Sequence, residues 1–163
     1  MVSKNDFAPL EWKKLIQAPL LAGFAVSAAD TSSFIGALQE SFASAKMMAD
    51  AKDETGNYLI KEIAAELMTS NGRADAREGI RTIFQGAQSG DLKERALEAL
   101  KEIVTIVDTK SPENSIKFKD WLNKMAVAVA EAGTEGGFLG FGGVKVSDAE
   151  KATLAEIAAI LGE

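Results

Sequence analysis

Apolar residues recur along this chain at intervals of three and four, the period of a helix with one buried face. The clearest stripe is Leu92, Ala96, Leu100, Ile103, Val104 and Val107, introduced by Asp91. Another runs through Phe118, Trp121, Leu122, Met125 and Val129. It is opened by Ser111-Pro112-Glu113, a capping residue with proline at the first helical position, and is expected to stop at Gly133. Leu59, Ile60, Ile63, Ala64, Leu67 and Met68 form a third stripe after the Gly56-Asn57 break. Asn71-Gly72 is its expected C-terminal stop. Phe34, Leu38, Phe42, Ala45 and Met48 make a further stripe that Ser32 or Ser33 can cap.

Weaker or shorter helices complete the pattern. Pro9 opens one through Ile16, and a second runs from about Asp75 to Ala87, with Gly79 and Gly86 lowering its propensity. Ser147 with Glu150 three residues later is a capping box for a last helix that buries Leu154, Ile157, Ala158 and Leu161 before Gly162. No run alternates β-branched and polar residues, so strands are not expected. The pattern predicts an all-α fold, a compact bundle or array of about seven to eight short helices.

One stretch breaks the amphipathic rule. Ala18 to Ala29, APLLAGFAVSAA, is apolar all round. As a helix it rises about 18 Å, too short for a hydrocarbon core of ~30 Å. It reads as a buried central helix, with Pro19 in its first turn.

Length and composition then narrow the function. A chain of 163 residues, 47% hydrophobic and 26% charged, is expected to form a single helical domain over 1–163. The net charge of −6 disfavours nucleic acid and an anionic membrane surface as partners. There is no cysteine and no histidine, which removes thiolate nucleophiles, Ser-His-Asp chemistry, imidazole metal ligands and the Glu-x-x-His pairs of di-iron bundles. No catalytic residue, metal or cofactor is therefore expected, and the start of the chain lacks a signal-peptide pattern. A non-enzymatic cytoplasmic protein is the expectation.

Six glycines fall between residues 131 and 150, EAGTEGGFLGFGGVKVSDAE, just before the last helix. The phosphate-cradle reading fails its motif tests. Gly143 is followed by Val144 where a Walker A loop needs Lys, and Lys145 stands where a dinucleotide fingerprint needs its third Gly. The glycines suit a tight path that lays Phe138, Leu139 and Phe141 onto the bundle or into a contact, with Lys145 beside them. These four, with Trp12, are the candidate binding residues; Trp12 either anchors the N-terminal helix or lies in an interface.

Other constellations read as structural. Arg73, Arg77 and Arg81 form one helical stripe, best taken as solvated or ion-paired. Glu62/Glu66 and Glu94/Glu98 are one-turn carboxylate pairs with lysines nearby, expected at the surface. A calcium loop around Asp53 fails because its first ligand position would be Ala51. Trp121 lies on its helix's apolar stripe and is expected in the core.

The run Glu135-Gly136-Gly137-Phe138-Leu139-Gly140-Phe141-Gly142-Gly143, followed by Val146-Ser147-x-x-Glu150, is one of two signatures in this chain. The other is Glu11-Trp12-x-x-Leu15-x-x-Ala18-Pro19 leading into Val26-Ser27-Ala28-Ala29-Asp30. Together they resemble a family of uncharacterised small all-helical bacterial proteins, cyanobacterial ones among them. The resemblance covers both ends of the chain, implies a helical fold and carries no activity.

Two functions follow as expectations. The first is a protein acting through protein–protein contacts, as a homodimer or with another protein, with loop 133–146 and the N-terminal helix at the contact. The alternative is a small-molecule binder with an inter-helix pocket near Phe24, Met125 and Leu154, closed by that loop.

Overall fold

The computed structural model describes residues 2–28, 51, 57–135 and 146–162, the side chains of 132–135 excepted. Within them lie seven α-helices and no strand: α1 Pro9–Leu15, α2 Ala18–Ala28, α3 Tyr58–Met68, α4 Ser70–Phe84, α5 Leu92–Lys110, α6 Pro112–Glu135 and α7 Asp148–Leu161. None of these helices is long and apolar enough to cross a membrane. The stripe from Phe34 to Met48 and the glycine-rich run 136–145 lie outside the described residues.

The all-apolar helix takes the centre. Ala18, Pro19 and every residue from Leu21 to Val26 on α2 are buried. Its main neighbours are α5 and α6, with α7 beyond them. Gly23 lets α6 come close, since a Cβ there would lie 2.9 Å from Val129 Cγ2. The predicted stripe of α5 faces inward, with Ala96, Leu100, Ile103, Val104 and Val107 buried. On α6, Phe118, Trp121, Leu122 and Met125 are buried as the period requires.

Helix ends follow local chemistry. Ser147 accepts from the Glu150 N–H at 3.1 Å while Glu150 accepts from the Ser147 N–H at 2.7 Å, the reciprocal capping box. Gly162 ends α7 in the left-handed region at φ 81°, where a side chain would be strained. Arg73 Nη1 donates to the Met68 carbonyl at 2.6 Å, and Arg95 Nη1 to the Gln85 carbonyl at 3.0 Å. Two arginines thus satisfy the orphan carbonyls at the C-termini of α3 and α4.

Three sequence expectations need correction. Asn71-Gly72 does not terminate α3. That helix stops at Met68, and α4 begins at Ser70, five residues before the expected Asp75. Thr69 serves both helices: its hydroxyl donates to the Glu66 carbonyl at 2.7 Å and accepts from the Gly72 N–H at 2.9 Å. Gly72 is needed for closeness, because a Cβ there would sit 2.0 Å from the Glu66 carbonyl oxygen. Likewise α6 continues through Gly133 to Glu135. Met68, placed by period on the buried stripe of α3, is 50% exposed, because the last turn overruns the core.

The N-terminal segment straps three helices together. The Lys4 N–H donates to Glu62 at 2.6 Å and its ammonium to Glu66 at 2.8 Å, both on α3. Lys13 meets Asp75 of α4 at 3.4 Å, and Lys14 pairs with Glu102 of α5. Behind α1, the buried Gln17 donates to the Lys13 carbonyl at 2.8 Å and fills the space over Gly79, where a Cβ would lie 1.9 Å from Gln17 Nε2.

Gly72→Ala should lower stability by roughly 2–3 kcal/mol, because overpacking against backbone outweighs the gain in helix propensity. Gly90→Ala, where nothing lies within 4 Å, should stay within about 0.5 kcal/mol of wild type in the same urea titration. Gly79→Ala should be destabilising alone and markedly less so in a Gln17→Ala background; additive costs would mean that the two positions do not interlock.

Candidate contact surface

Several polar side chains among the described residues hold helices together. Asn57, buried at the start of α3, accepts from the Ile60 N–H and donates to the Asn114 carbonyl, both at 3.1 Å. Asn114 donates in turn to Ser111 Oγ and to Glu113 Oε1, each at 2.9 Å. This buried cluster ties the N-termini of α3 and α6 to the corner where α5 ends.

One constellation has the outline of a nucleophile beside a base. The buried Ser115 hydroxyl on α6 donates to Asp108 on α5, and Lys119 contacts the same carboxylate at 2.7 Å. Asp108 is exposed, and the hydrogen bonds from Lys119 and then Ser115 hold its carboxyl below the usual range. A carboxylate so stabilised is a weaker base, the wrong direction for activating a hydroxyl at neutral pH. The trio is a brace between α5 and α6. Among the described residues, no group of three carboxylates could hold a metal ion.

The expected candidates fare unequally. Glu62 and Glu66 receive the N-terminal strap, and Arg81 pairs with Glu78 at 2.9 Å while Arg73 caps α3. Two of the three arginines of that stripe, Arg73 and Arg81, thus have structural contacts. Trp12 is 4% exposed, tilted against Phe7 at 6.0 Å with the Lys4 ammonium 5.8 Å from its ring centroid. Its buried indole N–H has no acceptor among the described residues, so ring packing and the Lys4 ammonium hold it. Trp12 is the anchor of α1 and offers no surface to a partner. Phe24 stacks on Phe84 at 4.2 Å and Met125 is fully buried, while Leu154 on α7 is partly buried. Phe138, Leu139, Phe141 and Lys145 lie outside the described residues.

Two large apolar side chains stand out among the described residues. Leu10 is 75% exposed and Ile116 81%. The Glu11–Lys110 ion pair at 2.7 Å brings the start of α1 to the end of α5, where α6 begins. The Asn57–Asn114 hydrogen bond adds the start of α3, where Tyr58 is half-exposed. Among the described residues, three of the five large exposed apolar side chains lie within two residues in sequence of these joints. The period alone could have flagged Ile116, which sits off the Phe118–Met125 stripe; Leu10 gives no such signal.

Glu11 is also held below the ordinary carboxylate range, by the hydrogen bond from Lys110 and then by the Ala8 N–H. Both depressed carboxyls contribute stability that is present above the unfolded value, about 4, and lost as pH falls through the folded one. The urea midpoint should therefore hold between pH 7 and 5 and fall below about pH 4. Asp108→Asn should lower it at pH 7 and make the acid limb shallower; an unchanged limb would remove Asp108 from the acid response.

No protein-family model, curated protein or solved structure matches this chain in sequence or fold.

Proposed function

We propose that this protein is a non-enzymatic contact module that binds another polypeptide through the end built from α1, the α5–α6 corner and the start of α3. The observation that carries the reading is the exposure of Leu10 and Ile116, 75% and 81% open to solvent, within two residues in sequence of the Glu11–Lys110 and Asn57–Asn114 contacts. Large apolar side chains on helices cost little backbone entropy to order on binding, and their burial outweighs the rotamer freedom they lose. The sequence has no histidine or cysteine, and Lys119 and Ser115 hold the Asp108 carboxyl low, which favours a contact role over catalysis. Phe138 and Phe141 join the reading on sequence grounds alone, as bulky apolar residues in a glycine-rich stretch.

Native mass spectrometry of the protein gently purified from its own host tests this. The wild type should retain a partner chain, and Leu10→Ser with Ile116→Ser should release it. Each lost side chain should weaken the complex by about tenfold or more, from at least ~1.5 kcal/mol of burial. The unfolding midpoint should be unaffected, since both positions are exposed. A partner retained by the double variant, or a small-molecule mass excess in its place, would overturn the proposal.

A further inference from the structure

Asn71-Gly72 is the only asparagine–glycine pair in the chain, and such a pair carries a chemistry of its own. The backbone nitrogen of the glycine can reach the amide carbon of the asparagine side chain, because no Cβ hinders the approach. Asn71 is exposed in the first turn of α4, with Gly72 buried beside it. The folded junction occupies the attacking atom. The Gly72 N–H donates to Thr69 Oγ1 at 2.9 Å, and helical dihedrals at Asn71 keep that nitrogen out of line with the side-chain carbon.

We infer that Asn71 is a site of spontaneous deamidation, shielded while the α3–α4 junction is closed and released when it opens. N–H groups in the first turn of a helix have no intrahelical acceptor, so Thr69 Oγ1 is what holds the Gly72 nitrogen. When a local opening breaks that bond, the nitrogen can attack Asn71 Cγ. The N–Cγ bond forms, the Cγ–Nδ2 bond breaks, and the side-chain nitrogen leaves as ammonia with the proton that Gly72 gives up. Water then opens the cyclic imide at either carbonyl. The balance is one water in and one ammonia out, with no change of oxidation state.

The two products have opposite fates. Opening at the side-chain carbonyl leaves an aspartate, whose charge suits the first turn of a helix. Opening at the main-chain carbonyl leaves an isoaspartate, which adds a backbone carbon directly before Gly72. Space there is already so short that even a Cβ on Gly72 would lie 2.0 Å from the Glu66 carbonyl oxygen. The lengthened chain cannot reseat the Gly72 N–H on Thr69, so a brief opening becomes a permanent one.

Trypsin cuts after Lys61 and Arg73, and the peptide Glu62–Arg73 carries Asn71 as its sole side-chain amide. The full chain and this peptide alone are aged together at mildly alkaline pH, and the peptide's mass is followed after brief digestion. The folded protein should lose the amide at least about tenfold more slowly than the free peptide. Thr69→Ala should speed the loss about fivefold, whereas Thr69→Ser, which keeps the hydroxyl, should stay near the wild-type rate. Ser147→Ala removes the equivalent cap from α7 and should leave the rate unchanged. The separated isoaspartate form should exchange the amide hydrogens of the first turn of α4 faster than fresh protein. Loss in the folded chain as fast as in the free peptide, or no acceleration in Thr69→Ala, would overturn the inference. So would equal acceleration in Ser147→Ala, which would trace access to global unfolding, or unchanged exchange in the isoaspartate form.

Discussion

The structure depends on a helix that has no face for water. A helix apolar on one side needs one neighbour, but α2 is buried on nearly every side and must be enclosed. That requirement explains why α5 and α6, the two longest helices, lie along it, with α7 beyond them. Small residues make the enclosure tight. Ala18, Ala22, Gly23 and Ala25 bring backbones together, and bulk enters between them through Leu21, Phe24 and Val26.

The polar chemistry of the chain is subordinate to the same end. Arginines close helix C-termini, asparagines and serines join helix N-termini, and carboxylate–lysine pairs draw the N-terminal segment over α3, α4 and α5. Solvent-exposed pairs of this kind are individually worth little, about 0–1 kcal/mol. They set register and direction, while Phe7, Trp12, Leu15 and Ile16 supply the burial that seats the segment.

Much of this was legible in the sequence because helices announce themselves through local rules. The Ser147/Glu150 box, proline after Ser111 and the inward stripes of α5 and α6 all follow from neighbours within a turn or two. The misread glycines fail for different reasons. Gly after a helical stripe looks like a C-terminal stop, whereas Gly72 serves close approach to the carbonyl of Glu66, and Gly133 lies within a continuing helix. A tight joint such as the one at Thr69 is set by turn geometry that no helical periodicity encodes. The contact surface is obscure because Trp12 and Leu10 are neighbours on one short helix, and only the fold decides which is buried.

Thr69 carries a mechanical consequence. It is the entire connection between α3 and α4, held at φ −80° and ψ 154° by bonds to both helices. With no slack in the joint, the two helices form a rigid elbow, so α3 cannot tilt without swinging α4. The far arm of that elbow presses Gly79 against Gln17, at the root of the central helix. A load applied to the outside of α3 is thereby delivered to the innermost part of the molecule.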